Sequence, residues 1–478
     1  MAPPGPFGRV PVRILLSPLT RRTRSVLCGS MRTIVLLAFV LGALTPASAD
    51  SIRCRFGPGA TPAVTAPNKP HGSQIPIDTI VVAMQENRSF DHYFAQLRLQ
   101  GQPHVRRVPK NASNPDPTNP SGPPIPRFHE TSYCECADLD HSWNGTHHEW
   151  DNGAMDGFTA ANTNACNPTG SRTMGFYDST DLPYYYSLYS QFAIADRYFA
   201  SALTQTFPNR FYLYAGTSFG HIRNDFPTSP TEFAPPGGTI FEALDNAGIT
   251  WKIYFSEIPA GFLFAYVRDH AANTAPIQQY FNDAQAGTLP QVVFVDPLFN
   301  LSGTESRNME NDEHPPANIQ VGEQFVASVA NALMASPQWP HAALFHTYDE
   351  HGGFWDHMPP PPACLPDNIP PMLQSGDEPG AFDRYGIRVP VVVVSPYSRK
   401  HYVSHRTYDH TSIIRFIETR FDLPALTRRD ANADPMLRLF NFHRTPFATP
   451  PPLPPAPVDE AHRLQCSPSG AFIDPVEF

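Results

Sequence analysis

The sequence predicts an α/β domain with a mainly parallel central sheet and helices on both faces. Two observations support this class: short, almost continuously apolar stretches rich in β-branched residues, and stretches with a helical apolar period between them. Strands that are apolar on both sides are typical of a parallel sheet buried between layers of helices. With 478 residues, of which 41% are hydrophobic, the chain can bury a large core.

Four stretches are predicted as buried strands. In chain order they are residues 78–86 (DTIVVAMQE), 291–297 (QVVFVDP), 342–350 (AALFHTYDE) and 389–396 (VPVVVVSP). Two amphipathic helices are predicted after the second and the fourth strand, and each places apolar residues on one face. They cover residues 321–334, with Phe325, Val326, Val329, Ala330 and Leu333, and residues 410–421, with Ile413, Ile414, Ile417 and Phe421.

Polar residues lie at the carboxyl end of each predicted strand. They are Glu86 and Asn87, Asp296, Asp349 and Glu350, and Ser395. In open α/β sheets, ligand sites form in the crevice at the carboxyl ends of the strands. We therefore expect these residues, distant in sequence, to meet at one edge of the sheet.

The first and third strands carry ligands suited to a metal ion. Glu86, Asp349 and Glu350 supply carboxylates and Asn87 supplies an amide oxygen. Three anions placed together repel one another unless a cation lies among them, and an oxygen-rich set suits a hard divalent ion. The alternative is two unrelated loops whose acids cap helices or pair with arginines.

Thr206 is a candidate nucleophile. It precedes Phe207-Pro208-Asn209 and an aromatic helical run, so its hydroxyl is predicted to face the amides at the positive end of a helix. A phosphoryl group binds at such a place, and a coordinated metal can activate the hydroxyl. The alternative is that Thr206 merely caps the helix.

Three of the 19 histidines are candidates to contact a phosphoryl oxygen or to protonate a leaving group. They are His141, His314 and His357. Taken singly, each is equally compatible with a structural or an exposed role.

The chain begins with the features of an export signal. Residues 1–49, with Met31 as an alternative start, contain a basic flank, an apolar run over residues 34–44 and a small-residue cleavage pattern at 47–49. The apolar run is too short to span a bilayer. The sequence therefore predicts a secreted or periplasmic protein that begins at Asp50 after cleavage.

Charge and cysteine content set further limits. Cleavage after residue 49 removes six arginines and no acid, and the remaining 28 basic and 44 acidic residues predict no nucleic-acid partner. An even number of cysteines in an exported chain predicts disulfides, whose connectivity stays open. The alternative for Cys134 and Cys136 is that they form half of a metal site. The six remaining cysteines are Cys54, Cys134, Cys136, Cys166, Cys364 and Cys466.

Several longer motifs occur in a fixed order along the chain. They are MQENRSFDHYF, DLDHSW followed by DNGAMDGF, the stretch from MGFYDST to YLYAGT, DEHPPANI, TYDEHGGFWDHMPPPP and YDHTSIIRFIETRF. Together they closely resemble the bacterial phosphoesterase family of phospholipases C and acid phosphatases, over roughly residues 76–445. Several motifs in a fixed order are far more specific than any single one.

The resemblance implies an alkaline-phosphatase-like α/β catalytic domain over residues 76–445, between a Pro-rich segment (50–75) and a Pro-rich tail (446–478). It also implies one divalent ion, Ca²⁺ or Zn²⁺. The implied metal ligands are Glu86, Asn87, Thr206, Asp349 and Glu350. The implied catalytic residues are the nucleophile Thr206 with His141 and His314, and substrate contacts are predicted for Asn87, Asn209 and His357.

The sequence thus predicts a metal-dependent, phospholipase C-like enzyme that hydrolyses phosphodiesters such as phosphatidylcholine through a phosphothreonine. An acid phosphatase acting on phosphomonoesters is the first alternative. A non-catalytic secreted binding protein is the second, and the complete set of acid, amide, hydroxyl and histidine positions argues against it.

Overall fold

The computed structural model describes residues 54–301 and 309–466. The predicted signal peptide and its cleavage site lie outside these residues. The strands are β1 (Thr79–Gln85), β2 (Ser113–Asn114), β3 (Ile125–Pro126), β4 (Phe128–His129), β5 (Gly175–Phe176), β6 (Ala193–Ala195), β7 (Trp251–Phe255), β8 (Thr274–Pro276), β9 (Val292–Asp296), β10 (Ala342–Tyr348), β11 (Val391–Val394) and β12 (Val403–Ser404).

Helices separate most of the strands along the chain. They are α1 (Pro62–Thr65), α2 (Phe90–Phe94), α3 (Trp143–Trp150), α4 (Phe158–Ala161), α5 (Pro183–Gln191), α6 (Thr206–Ala215), α7 (Ile240–Asn246), α8 (Ala265–Asp269), α9 (Ile277–Ala286), α10 (Ile319–Ala335), α11 (His410–Phe421), α12 (Arg428–Asn432) and α13 (Glu460–Gln465). None of the described helices is both long enough and apolar enough to cross a membrane.

Within the described residues, eight strands form one central sheet in the order β12-β6-β11-β10-β1-β9-β7-β8. β1 lies in the middle and pairs in parallel with both β10 and β9. Every residue of β1, β9, β10 and β11 is buried, so both faces of the sheet are covered. The four predicted strands and the predicted α/β class with a mainly parallel sheet are confirmed.

One predicted strand runs against the others. β11 pairs antiparallel with β10 and with β6. Its carboxyl end therefore lies at the opposite edge of the sheet, where the Ser395 hydroxyl donates to the carbonyl of Ala342 at the start of β10, 2.8 Å away. The prediction that Ser395 shares an edge with the other polar strand ends is wrong, because it assumed one direction for all four strands.

The two predicted amphipathic helices are present as α10 and α11, and their predicted apolar faces pack into the core except for the half-buried Phe421. Local polar contacts define where they begin. The Asn318 side chain accepts hydrogen bonds from Gln320 N and Val321 N at the start of α10, and Asp409 forms a capping box with Ser412 at the start of α11. These caps place the loops that precede both helices.

All six described cysteines form disulfides, which join Cys54 to Cys364, Cys134 to Cys466 and Cys136 to Cys166. Cys134 and Cys136 are therefore not half of a metal site. The Pro-rich segment after residue 445 is attached to the domain as far as it is described, because Cys466 is disulfide-bonded and the Trp339 indole donates to the Phe447 carbonyl at 3.0 Å.

Candidate active site

The loops that follow β1 and β10 are joined at the carboxyl edge of the sheet. Asp349 N donates to the Gln85 carbonyl at 3.2 Å, and Arg88 N donates to the Glu350 carbonyl at 3.0 Å. Asn87 N donates to Asp349 Oδ1 at 3.1 Å. Because β1 and β10 are parallel neighbours in register, the four predicted metal ligands of the two loops lie together.

This close approach depends on unusual backbone conformations. Asn87 has a φ of 62° and Gly352 a φ of 62°, both in the left-handed region. A Cβ atom added to Gly352 would lie 2.4 Å from the Asn87 carbonyl oxygen. Glycine is therefore required at position 352 to let the second loop close over the first.

A buried arginine lies among the carboxylates. Arg210 Nη2 is 2.9 Å from Glu86 Oε1, and Arg210 Nε is 3.5 Å from Asp349 Oδ2. Its third acidic neighbour is Asp296 at the end of β9, with Nη1 4.0 Å from Oδ1. The alternative in which the acids pair with an arginine is thus present in part, but one guanidinium faces more carboxylates than it can neutralise.

Burial and neighbouring charges shift the pKa values of these acids in different directions. Burial raises the pKa of Glu86 well above its ordinary value, against the attraction of Arg210. Burial also raises the pKa of Asp349 to about 6, again against Arg210. For Glu350, burial opposes ionisation, but the nearby His141 and His351 rings outweigh it and lower the pKa.

Among the predicted metal ligands, three buried oxygen atoms accept no hydrogen bond from any residue that the structure describes. They are Asn87 Oδ1, Asp349 Oδ2 and Glu350 Oε1. Buried acceptors without donors are costly, and carboxylate and amide oxygens are the ligands that hard divalent cations prefer. The donor chemistry therefore suits a divalent metal ion, but the carboxylates of Glu86, Asp349 and Glu350 do not converge to within 4.8 Å of one another, whereas ligand atoms of Asp138, His141 and His314 do.

A residue pair outside the predicted set holds Glu350 in place. His351 Nδ1 lies 3.1 Å from Glu350 Oε2, and His351 Nε2 lies 2.6 Å from Glu149 Oε2. Burial lowers the proton affinity of this ring, but Glu149 and Glu350 outweigh it and raise its pKa to about 9. Gly352 N donates to the same Oε2 at 2.8 Å. The other oxygen of the Glu350 carboxylate, Oε1, therefore faces the site.

Thr206 is the first residue of α6 and is 4% exposed. Its hydroxyl makes no hydrogen bond with the described residues, so it does not act as a side-chain cap, as the alternative interpretation required. It lines a cavity of about 350 Å³ together with Glu86, Arg210 and His314. The predicted nucleophile therefore shares one cavity with a predicted metal ligand and a predicted catalytic histidine.

The two predicted catalytic histidines lie next to each other, with ring centroids 5.7 Å apart. His141 Nδ1 donates to the Leu139 carbonyl at 2.7 Å, and its Nε2 lies 3.3 Å from Asn87 Nδ2. His314 Nδ1 donates to the Pro315 carbonyl at 2.6 Å. Asp138 lies between the rings, with Oδ2 3.8 Å from His141 Nδ1 and 3.7 Å from His314 Nε2.

Two predicted substrate contacts have other partners. The amide of Asn209 is fully engaged with the backbone before α6: Oδ1 accepts from Ser201 N and Ala202 N, and Nδ2 donates to the Thr204 carbonyl at 2.7 Å. Asn209 therefore holds the loop that carries Thr206, and its predicted substrate contact stays a prediction.

His357 lies in a separate buried cluster. Its Nδ1 is 2.5 Å from Asp91 Oδ2, and Arg388 binds the other oxygen of the same carboxylate at 2.6 Å. His357 does not line the cavity at Thr206. The structure pairs this histidine with Asp91, and its predicted substrate contact stays a prediction.

The oxygen-rich cluster, a hydroxyl and two histidines at the carboxyl edge of a mainly parallel sheet define a hydrolase of phosphoric esters with residues suited to a divalent metal. A family model described as the Phosphoesterase family matches residues 77–424. The chain belongs to this family, as the motifs predicted.

Curated relatives carry phospholipase names. The chain is 34% identical to non-specific phospholipase C1 from Arabidopsis thaliana over an aligned length of 408, which covers 79% of this chain and 73% of that protein. It is 31% identical to phospholipase C B from Mycobacterium tuberculosis (strain H37Rv) over an aligned length of 487. That alignment covers 91% of this chain and 89% of the relative. It is thus a phospholipase C-like phosphoesterase. Among solved structures, it matches an alkaline phosphatase superfamily protein from Vibrio parahaemolyticus with 10% identity and a TM-score of 0.33, over 53% of this chain and 63% of that one.

Proposed function

We propose that the protein is an exported phospholipase C that hydrolyses phosphodiesters such as phosphatidylcholine through a phosphothreonine at Thr206. The observation that carries this proposal is the Thr206 hydroxyl, which makes no hydrogen bond with the described residues and faces a cavity shared with Glu86, Arg210 and His314. The hydroxyl is therefore not committed to a structural contact among the described residues. Its position suits attack on a phosphorus atom bound in the cavity.

One divalent ion, Ca²⁺ or Zn²⁺, would be held by Glu86, Asn87, Thr206, Asp349 and Glu350. Such an ion supplies charge neutralisation for a phosphoryl group and lowers the pKa of a bound hydroxyl. The three unmatched acceptor oxygens of Asn87, Asp349 and Glu350 support this assignment.

The protein's own groups account for the remaining steps. Thr206 Oγ1 bonds to phosphorus as its proton passes to solvent, and the bond from phosphorus to the glycerol oxygen breaks. His314, in its protonated form, gives a proton to the departing diacylglycerol alkoxide, while the Asn87 amide and His141 bind the equatorial oxygens. Water then cleaves the phosphothreonine and releases the phosphorylated head group.

A diester of a lipid is favoured over a small monoester because much of the cavity is apolar. Phe207, Ile258 and Phe299 line it together with Glu86. A water-soluble monoester has no group that would bury this surface, whereas the diacylglycerol part of a phospholipid does. Export is supported by the disulfides, since such bonds persist in oxidising compartments.

The first experiment separates the candidate activities. The mature protein is assayed in parallel on p-nitrophenyl phosphorylcholine and p-nitrophenyl phosphate, with and without a chelator. A phospholipase C turns over the diester with preference, and the chelator abolishes the turnover. Preference for the monoester identifies an acid phosphatase, and no metal-dependent turnover of either compound refutes the proposal.

The second experiment tests the nucleophile. Thr206→Ala is expected to lower the rate by about 10⁴-fold or more, because a covalent nucleophile is lost, whereas Thr206→Ser retains measurable turnover. The control is Thr204→Ala, which removes a buried hydroxyl that donates to the Ile222 carbonyl at 2.6 Å. The control is expected to lose about 1–3 kcal/mol of stability while keeping its turnover.

The intermediate itself can be trapped. Single-turnover quenching with labelled substrate, followed by peptide mapping, is expected to place the label on the peptide that contains Thr206. Near-wild-type turnover by Thr206→Ala, or label elsewhere, would exclude the phosphothreonine.

A further inference from the structure

The cavity at Thr206 is lined by residues of two kinds. Glu86, Arg210 and His314 are among the polar ones. Five large apolar residues, here together called the apolar wall, also line it: Phe207, Phe226, Ile258, Phe262 and Phe299.

The strand order places these residues along the carboxyl edge of the sheet. The loops after β1 and β10 carry the acidic cluster, and the loops after the next two strands, β9 and β7, carry Phe299 and Ile258, while β9 itself ends at the buried Asp296. Arg210 contacts both kinds of residue, because it lies 2.9 Å from Glu86 Oε1 and 4.9 Å from the centre of the Phe299 ring.

The outer part of the apolar wall faces solvent. Phe226 is 44% exposed and Ile258 is 46% exposed, although both are large apolar residues. The Phe226 ring packs edge-on against Phe207 at 5.1 Å, so the exposed side chains are continuous with the wall beside Thr206. Large apolar groups that line a cavity mouth mark a site for an apolar partner.

The size of the cavity limits what can enter it. Each acyl chain of a bilayer lipid extends about 15 Å, half the thickness of the hydrocarbon core. A cavity of about 350 Å³ can hold a group the size of a small molecule, but it is too small for two acyl chains of this length. The chains of a phospholipid substrate must therefore remain in the lipid layer while its phosphodiester reaches Thr206.

We propose that the apolar wall docks on a zwitterionic phospholipid layer and receives the glycerol-ester end of one lipid, an inference that rests on the proposed phospholipase function. The exposed Phe226 and Ile258 enter the layer, and Phe299 and Phe207 contact the ester region beside the nucleophile. The chain has a formal net charge of −10, so apolar contact rather than attraction to anionic lipid supplies the binding. Docking is accordingly insensitive to salt.

The test uses serine variants at the mouth and a matched control on another surface. Phe226→Ser, Ile258→Ser and the double variant are compared with Leu99→Ser, which truncates a leucine that is 80% exposed and does not line the cavity. Turnover is measured on phosphatidylcholine vesicles and on soluble p-nitrophenyl phosphorylcholine. The ratio of vesicle to soluble turnover is expected to fall several-fold in each single variant and about tenfold or more in the double variant. Leu99→Ser leaves the ratio unchanged.

Docking is also measured without turnover, by co-sedimentation of the same variants with phosphatidylcholine vesicles in a Thr206→Ala background. Weaker sedimentation of the double variant, at both low and high salt, supports the inference. Unchanged sedimentation, or binding that high salt abolishes, overturns it. If the proposed function itself is wrong, the wild-type protein turns over neither compound, but the sedimentation result still decides whether the apolar wall binds lipid.

Discussion

The buried carboxyl of Asp349 is expected to destabilise the metal-free protein at neutral pH. Its pKa is 3.8 in an ordinary environment and about 6 in the folded protein. Between these values the folded chain binds a proton that the unfolded chain releases, so the free energy of unfolding falls as pH rises through this window and stays low above it. The free energy of unfolding is therefore lower by about 3 kcal/mol above this window than below it, and this figure already includes the attraction of Arg210.

Asp349→Asn removes this ionisation while keeping a side chain of the same shape. In the presence of chelator, the free energy of unfolding of the variant at pH 7 is expected to exceed that of the wild type by up to about 3 kcal/mol. Near pH 4 the two free energies should be equal. Added Ca²⁺ or Zn²⁺ should reverse the order, because the wild type gains about 2.7 kcal/mol at 100 times its Kd whereas the variant has lost a ligand. Denaturant titrations at the two pH values, with and without the cation, provide the measurement.

Asp296→Asn is the matched control. Burial raises the pKa of Asp296 to about 6 as well, and this acid also faces Arg210, but it is not among the predicted metal ligands. The control should gain stability at pH 7 and still bind the cation. If Asp349→Asn gains no stability, the charge argument fails, and if it binds the cation as tightly as the wild type, Asp349 is not a ligand.

Further predictions concern the supporting residues and the termini. Glu149→Gln should weaken cation binding about 10–100-fold in titration calorimetry because His351 no longer orients Glu350, whereas Glu378→Gln, in an exposed pair with His148, should not. The cation should raise the melting temperature more at pH 7 than at pH 5, because protons compete for the same carboxylates. Amino-terminal sequencing of exported protein should find Asp50 as the first residue. Peptide mapping without reduction should recover three linked pairs: Cys54–Cys364, Cys134–Cys466 and Cys136–Cys166.

The strands that sequence predicted share one physical property, which is burial of every residue. An uninterrupted apolar run signals this directly, as in β1 and β10. The shorter β6 and β12 have three and two residues, too few to form a recognisable pattern. The direction of β11 was mispredicted because VVVV has no polarity along the strand, and only its pairing with β10 reveals that it runs the other way.

The site was predictable where chemistry follows from the carboxyl ends of neighbouring parallel strands. Glu86 and Asp349 are adjacent for this reason alone. Arg210 and Glu149 were missed because their roles depend on contacts across more than a hundred residues of sequence, which no local pattern records. The resemblance alone assigned Asn209 to substrate, and no local pattern showed that its amide bonds to the backbone before α6.

The helical spacing of Thr206 and Arg210 connects the nucleophile to the acidic cluster. The two residues are four apart on α6, so they lie on the same face about 6 Å apart along the helix axis. Arg210 is held by Glu86 and by the Met84 carbonyl of β1, which ties this helix to the strand that carries the predicted ligands. The arginine that balances the acids therefore also ties the helix that begins with Thr206 to the acidic cluster. The start of α6 needs no capping contact from the Thr206 hydroxyl, because Phe207 N donates to Asn224 Oδ1 at 2.8 Å.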